Sequence, residues 1–234
     1  MRPNKYEIQD LIQPQNVLVS VSDKKNLPEL VASLYNFNNN LTFYSTGGTG
    51  KYVLDALDKI NADRINANST SSKINVKLNY ISLEEFTNMP EMEGGLVKTL
   101  HPKIHAGLLA ERGNPAHKDY LENSLGKIGN SQGVYFDILV CNLYPFQQVV
   151  AQNCTLESAR INIDIGGHAM IRAGFKNYQS AAVLSSPTQY LQFIDSVIAN
   201  NGITLAKRFE LAKKAMNMIK NYDISVADYF NNLQ

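Results

Sequence analysis

Four short apolar runs, separated by segments with helical spacing, are the feature that most constrains the fold of this chain. They are Val17–Val21, Leu41–Tyr44, Phe136–Cys141 and Ala181–Leu184, and Lys77–Ile81 is a weaker fifth. Short apolar runs that are rich in β-branched and aromatic residues predict buried strands. Such strands are typical of a parallel sheet when helical segments separate them.

Several segments with helical spacing lie between and after these runs. They are Leu27–Tyr35, Lys51–Leu57, Leu191–Ala199, Thr204–Ile219 and Ser225–Leu233. Alternation of strand and helix over the first two thirds predicts an α/β fold with a doubly wound, mainly parallel sheet. The end of the chain predicts a helical C-terminal layer.

Composition excludes several classes of protein. The chain has 234 residues, 44% hydrophobic residues and a formal net charge of +1, so it can bury a core and has no electrostatic bias towards nucleic acid or a membrane surface. No signal peptide and no apolar run long enough to span a membrane is visible, so we expect a cytoplasmic protein. Cys141 lies in an apolar strand, which favours a buried thiol over a disulfide with Cys154.

Polar loops directly follow three of the predicted strands. They read SDKK at Ser22–Lys25, STGGT at Ser45–Thr49 and NLYPF at Asn142–Phe146. The carboxyl ends of parallel strands lie along one edge of a sheet, where ligands bind, so we expect these loops to converge on one site. The two glycines of STGGT at the start of a helix favour a phosphate cradle, with an ordinary helix cap as the alternative. The surrounding sequence fits neither the Walker A nor the G-x-G-x-x-G pattern.

The segment KTLHPKIH contains two histidines four residues apart, His101 and His105. They could share a helix face and bind a metal, but the glutamate of H-E-x-x-H is missing and no third ligand is evident, so we predict no metal site. Lys98 precedes the helix that these residues predict, and its ammonium could either enter the crevice or remain a surface charge. Asp164 and Lys176 flank a further predicted helix; within one crevice they could steer protons, and otherwise they would be a helix cap and a surface charge.

Several blocks occur in an order that resembles a known family. They are SVSDK, STGGT, VKTLHPKIH, CNLYPF, NIDIGG with Ala173 and Lys176 following, and the closing AKRFELAKKAM and YDISVADYF. The chain is similar, from about Val17 to Leu233, to the inosine monophosphate (IMP) cyclohydrolase domain of the bifunctional purine-biosynthesis protein that also carries the aminoimidazole-carboxamide ribotide transformylase.

The resemblance implies a methylglyoxal-synthase-like, Rossmann-like fold and an enzyme that closes the purine ring of formamido-imidazole-carboxamide ribotide to give IMP and water. It implies no metal and no organic cofactor. The residues that match the family's catalytic positions are Lys98, Tyr144, Asp164 and Lys176. By their chemistry, Lys98 would stabilise an oxyanion and donate a proton, Tyr144 would relay a proton, and Asp164 and Lys176 would orient and polarise the amide and formyl groups. The residues expected to bind the ribotide or its 5′-phosphate are Ser22, Lys24, Ser45, Thr46, Gly47, Gly48, Thr49, Thr99, Asn142 and Gly166.

Two positions depart from the family's pattern. Leu96 stands where the family usually has an arginine, and His168 stands where it often has a small apolar residue. The alternative is therefore a catalytically weakened, nucleotide-binding regulatory module on the same fold; methylglyoxal synthase chemistry is a further possibility. A binding module would need only the phosphate loop and could lose the four catalytic positions, so their retention favours the cyclohydrolase.

We expect an N-terminal extension at residues 1–16 and an IMP cyclohydrolase-like domain at residues 17–234, with a surface insertion at residues 61–75. The chain leaves no room for a transformylase domain, so folate-dependent formyl transfer is not expected of it. The expected partners are a purine ribotide and a second copy in a homodimer, with neither nucleic acid nor membrane.

Overall fold

A computed structural model describes residues 6–66, 79–93, 96–127, 131–152 and 154–233. Its strands are β1 Leu11–Ile12, β2 Asn16–Val21, β3 Thr42–Ser45, β4 Tyr80–Ser82, β5 Ile138–Asn142, β6 Ala182–Leu184 and β7 Ile203–Thr204. Its α-helices are α1 Leu27–Phe37, α2 Gly47–Asn66, α3 Leu83–Thr87, α4 Pro102–Leu109, α5 Pro115–Asp119, α6 Phe146–Val150, α7 Leu156–Ile161, α8 Gly166–Lys176, α9 Tyr190–Asn200 and α10 Leu205–Asn231. Single turns of π- and 3₁₀-helix occupy Tyr120–Ser124, Leu125–Lys127 and Pro187–Gln189.

The predicted parallel sheet is confirmed. Five strands pair in the order β4-β3-β2-β5-β6, and every pairing is parallel. The central strand β2 pairs on both sides, so that Val17 lies opposite both Phe43 and Ile138. At the other end of β2, Val21 lies opposite Asn142, which brings the ends of these strands to one edge.

Helices cover both faces of the sheet, which explains why its strands read as continuous apolar runs rather than as alternating ones. On one face, Val17 and Val19 pack with α1, α2 and α9. On the other face, Leu18 packs with α4, α8 and α10, because successive side chains of a strand point to opposite faces. A trio of edge-to-face rings, Tyr44, Phe86 and Phe136, fills this second layer with centroids 4.9–5.9 Å apart.

The larger differences from the sequence prediction concern two helices, α2 and α10. The two helices predicted at the C-terminus are one helix, α10, because the polar residues between them include neither glycine nor proline to break it. Helix α2 begins at Gly47 rather than Lys51 and extends through residue 66, so it includes the first residues of the predicted insertion. The rest of that insertion, and the beginning of the predicted strand at Lys77, lie outside the described residues.

The N-terminal segment packs against the domain rather than standing apart from it. Strand β1 pairs antiparallel with β7, with Leu11 opposite Thr204 and Ile12 opposite Ile203. The fully buried Arg208 of α10 donates hydrogen bonds to the backbone carbonyls of four residues: Gln9, Asp10, Tyr178 and Ile203. Burial, with a smaller contribution from Arg112, lowers the pKa of Arg208 to about 10, so the guanidinium stays charged at neutral pH.

In the part of the chain described here, no helix is both long and apolar enough to cross a membrane.

We predict that Arg208→Met destabilises the fold strongly. The substitution keeps an apolar stem but leaves four carbonyl groups, of which that of Ile203 is buried, without their donor, which we expect to lower the free energy of unfolding by about 3 kcal/mol. The exposed Lys214 of the same helix provides the control, because Lys214→Met removes only a surface ion pair with Glu210 and should cost less than about 1 kcal/mol. Urea unfolding followed by circular dichroism measures both, and equal losses in the two variants would contradict the role of Arg208.

Candidate active site

A crevice of about 240 Å³ lies at the carboxyl ends of the strands. The loops after β2, β3 and β5 converge on it, as expected of a parallel sheet. Most of the residues predicted from the sequence line it: Ser22, Lys24, Thr46, Gly48, Thr49, Lys98, Thr99, Asn142, Tyr144, Asp164 and Gly166. Ser45, Gly47 and Lys176 are not among the lining residues.

The first turn of α2 presents backbone N–H groups to the crevice. The carbonyl of Thr46 accepts hydrogen bonds from the N–H groups of Thr49 and Gly50, at 3.0 and 2.7 Å, so the helix starts tightly. The N–H groups that precede them have no partner within a helix. Apart from adjacent residues and the backbone of α2 itself, no atom comes within 4 Å of the position that a Cβ would occupy at Gly47 or Gly48, so this turn is open to a ligand. Such a turn can bind an anion.

The hydroxyl groups of Ser45 and Thr49 bind the protein itself. Ser45 is fully buried and its Oγ donates to the carbonyl of Thr46 at 3.2 Å. The Thr49 Oγ1 accepts from the N–H of Val21 at 3.3 Å and donates to its carbonyl at 3.2 Å. These two residues therefore hold the first turn of α2 in place, and their hydroxyl groups bind backbone groups.

Asn142 fixes the loop after β2. Its Oδ1 accepts from the N–H groups of Ser22 and Asp23, both at 2.8 Å, and its Nδ2 donates to the carbonyl of Asp23 at 2.9 Å. The ammonium of Lys24 donates to the carbonyls of Val21 and Ser22, at 3.3 and 3.1 Å. A cation is thereby held beside the open turn of α2.

Asp164 caps α8. Its Oδ1 accepts from the N–H of Gly167 at 2.8 Å, and the N–H groups of Tyr144 and His168 also face its carboxylate. Burial raises the pKa of Asp164, and these N–H groups oppose the shift because they stabilise the charged form. The hydroxyl of Tyr222 on α10 accepts from the N–H of Asp164 at 2.8 Å, so the last helix supports this side of the crevice.

The turn that carries Lys98 packs directly on the start of α8. Thr99 is buried, and a Cβ at Gly166 would overlap its Oγ1, so this close approach requires glycine at residue 166. Val97 has a φ of 68°, an unusual value for a β-branched residue. Lys98 is partly exposed, and its Nζ lies 2.9 Å from Oε1 of Glu91. Tyr144, across the crevice, is 48% exposed.

Lys176 does not share this crevice. It lies at the other end of α8 from Gly166, which corresponds to about 15 Å along the helix axis. It lines a separate cavity of about 880 Å³, which we call the α8–α10 groove and which lies between α4, α8 and α10. Asp164 borders both spaces, so it shares the α8–α10 groove with Lys176 but shares the crevice with the other predicted residues that line it.

The histidines have separate roles. The His101 Nδ1 accepts from the N–H of Lys103 at 3.2 Å and caps α4, and burial followed by the charge of Lys103 lowers its pKa. Burial also lowers the pKa of His105, whose Nε2 is buried without a hydrogen-bond partner. Within the described residues, no group of three or more potential ligands could hold a metal ion. His168 lies 2.8 Å from Asp223 of α10, so this departure from the family's pattern has an acidic partner.

Sequence reasoning missed three residues that support the site: Glu91, Tyr222 and Asp223. Tyr222 and Asp223 belong to the closing YDISVADYF motif, which could have indicated that this motif contacts the site. No local pattern pairs Glu91 with Lys98.

Comparisons with known proteins agree with the fold and the motifs. Residues 174–234 match the family described as "AICARFT/IMPCHase bienzyme". The chain is 38% identical to "Bifunctional purine biosynthesis protein PurH" of Prochlorococcus marinus (strain MIT 9301), over 91% of this chain and 35% of that protein. It is 37% identical to the protein of the same name from Xanthomonas campestris pv. campestris (strain 8004), over 95% of this chain and 37% of that protein.

A solved structure, "Crystal structure of ForH", shares the fold with a TM-score of 0.65, covering 93% of this chain and 99% of that one at 23% identity. The chain spans about a third of the length of the PurH proteins that it matches. The chain is therefore a relative of the bifunctional PurH proteins, similar to their IMP cyclohydrolase domain.

Proposed function

We propose that this chain is an IMP cyclohydrolase, which closes the ring of formamido-imidazole-carboxamide ribotide to give IMP and water. The observation that carries the proposal is the grouping of Lys98, Tyr144 and Asp164 around the crevice that also receives the open first turn of α2. The first turn of α2 suits a phosphate, and the three side chains suit a reaction that transfers protons. Nothing in the sequence comparisons favours the regulatory alternative.

The 5′-phosphate is proposed to bind at the first turn of α2. The N–H groups of Gly47 and Gly48 and the positive end of the helix dipole attract an anion, and Lys24 adds a full charge beside them. Thr46 and Thr49 border the same space, and Ser22 follows β2 next to it. Because Asn142 and Thr49 fix these segments to the sheet, the phosphate would meet a preformed site.

The reaction mainly requires that the enzyme orient the two reacting groups of the substrate and stabilise the charge that develops on oxygen. The carboxamide nitrogen attacks the formyl carbon of the same molecule; a C–N bond forms and the electron pair of the formyl C=O moves to oxygen. One proton passes to that oxygen from the attacking nitrogen and a second from the formamide nitrogen. The C–O bond then breaks, water leaves, and the formamide nitrogen forms the C=N double bond of the new ring. Since the attack is intramolecular, correct folding of the substrate supplies much of the rate. The proposal requires neither a metal nor an organic cofactor.

Each crevice residue has a role that its surroundings support. The Lys98 ammonium stabilises the oxyanion and donates a proton to it, and the half-exposed phenol of Tyr144 relays protons. The Asp164 carboxylate, held in place by backbone N–H groups, accepts from the carboxamide nitrogen and orients it. Thr99 and Asn142 supply supporting hydrogen bonds, and Gly166 lets Thr99 approach α8. We assign no step to Lys176 within this crevice.

A homodimer and a cytoplasmic location stay predictions. The α8–α10 groove supports the first of these, because apolar side chains make up most of its lining and a second copy could cover them.

The direct test is turnover of the formylated ribotide, followed by the ultraviolet absorbance of IMP. We expect purified wild-type protein to form IMP, and to do so equally after treatment with EDTA, because the ammonium of Lys98 supplies the positive charge. Calorimetric titration with IMP accompanies the assay. Binding of IMP without turnover would select the regulatory module instead.

Lys98 and Lys176 allow a matched comparison, because one lysine lines the crevice and the other lines the α8–α10 groove. We predict that Lys98→Ala lowers kcat by about a hundred- to a thousandfold, as is typical for loss of a group that stabilises an oxyanion. Lys176→Ala should leave kcat within about threefold of wild type because its side chain lies outside the crevice. Steady-state kinetics on both variants, with melting temperatures as a folding check, measures this.

Equal losses in the two variants would show that Lys176 reaches a reacting group by another arrangement, and the geometry described above would not be that of the active enzyme. A Lys98→Ala protein that is folded and turns over within fivefold of wild type would remove Lys98 from the mechanism.

The phosphate cradle predicts a specific effect at Gly48, where a side chain meets no neighbouring atom. Gly48→Asp should raise KM at least about tenfold, or roughly 1.4 kcal/mol, because a carboxylate would lie where the phosphate binds. Gly48→Ala is the control and should stay within about threefold, since a methyl group carries no charge. Neither should lower the melting temperature much, as an acidic residue in a first helical turn is favourable. Similar KM values for the two variants would argue against a phosphate at this turn.

A further inference from the structure

The ion pair between Glu91 and Lys98 joins two segments at the rim of the crevice. Asn88 ends α3 in the left-handed conformation, with a φ of 55°, and the chain then leads to Glu91. Lys98 lies in a turn that is closed by a 2.7 Å hydrogen bond from the N–H of Leu100 to the carbonyl of Val97. Nζ and Oε1 are 2.9 Å apart, and the two side chains are 26% and 32% exposed. At this distance the contact is a charge-assisted hydrogen bond.

The neighbouring residues fix the backbone position of Lys98, but they leave its long side chain free to adopt several rotamers. Thr99 packs against Gly166, and Val97 keeps an unusual positive φ, so both neighbours constrain the position of the Lys98 Cα. The ammonium lies at the end of a flexible four-carbon stem. Within the described ranges, the carboxylate of Glu91 is the acidic group paired with it.

The other charged groups of the crevice already have partners. Lys24 donates to two backbone carbonyls, and Asp164 accepts from the N–H groups of α8 and its surroundings. Glu91 is therefore the carboxylate that remains to orient Lys98. It is not among the residues that line the crevice, so it contacts Lys98 from outside the space that a ligand would occupy.

We propose that Glu91 is a positioning residue that aims the ammonium of Lys98 at the reacting oxygen; this inference rests on the proposed cyclohydrolase function. An ammonium has three N–H donors, so one can remain on Glu91 while the others reach the substrate. The pair selects one rotamer of Lys98 before the substrate arrives, which is how preorganised electrostatic groups accelerate a reaction.

Glu91→Gln keeps the length and shape of the side chain and removes its charge. We expect kcat to fall about tenfold while KM changes less than about twofold, because a misplaced donor affects the transition state more than binding. Glu91→Asp should recover part of the loss. The exposed Glu93, two residues further along, is the control, and Glu93→Gln should behave as wild type. In a Lys98→Ala background, Glu91→Gln should change kcat less than about twofold, because Glu91 acts through Lys98.

A second measurement does not depend on turnover. Acetylation of Lys98 by N-hydroxysuccinimidyl acetate is followed by peptide mass spectrometry, with the exposed Lys25 as internal reference. Relative to Lys25, Lys98 should react at least about threefold faster in Glu91→Gln than in wild type or Glu93→Gln, since its ammonium is no longer held.

The two measurements separate the two hypotheses. If wild-type protein forms no IMP, the proposed function fails and the acetylation ratio alone decides whether Glu91 holds Lys98. Unchanged acetylation, an unchanged kcat in an active enzyme, or a lower KM with normal kcat would each overturn the inference; the last would make Glu91 a competitor of the substrate.

Discussion

The pairing of β2 with a parallel strand on each side is the interaction on which the rest of the structure depends. Val17 lies opposite Phe43 and Ile138, and the same ladder places Val21 opposite Asn142. Because a register shift of one residue would turn every side chain to the other face, burial of both faces fixes the register. The fixed register in turn sets which residues leave the sheet at its carboxyl edge. The position of the crevice therefore follows from strand pairing and core packing rather than from any polar residue.

The polar side chains near the crevice are of two kinds: some bind backbone groups of the loops around it, and others line the crevice. Asn142, Thr49 and Ser45 use their polar atoms on backbone groups, so they stabilise the loops. The open first turn of α2 and Lys98 line the space itself. A buried polar group without a partner is costly, which explains why the buried hydroxyls bind backbone. A rigid frame with few exposed donors is what a reaction controlled by orientation requires.

The parallel sheet and most of its helices were predictable from the sequence, because runs of β-branched residues and glycine-containing turns mark strands and their ends locally. The convergence of three loops also followed, since parallel strands end at one edge. The position of Lys176 did not follow: the helix between Asp164 and Lys176 was predicted, but local pattern could not show that Lys176 lines the α8–α10 groove instead of the crevice. The pairing of Glu91 with Lys98 and the support of Asp164 by Tyr222 depend on contacts between distant elements, which periodicity does not report. The residue types at the site were thus predictable, and their partners were not.

The two lysines of the crevice are held by different groups, and this difference suits the different roles that we propose for them. Lys24 is bound to backbone carbonyls of the loop that Asn142 fixes, so its charge has a constant position beside the helix terminus. Lys98 is bound to a partly exposed carboxylate, a contact that solvent and salt can weaken. A phosphate needs a constant anchor, because its charge does not change during the reaction. An oxyanion forms only during the reaction. The group that stabilises it must therefore be positioned before the oxyanion forms and must still be able to donate a proton. A lysine held by a carboxylate outside the crevice meets both requirements.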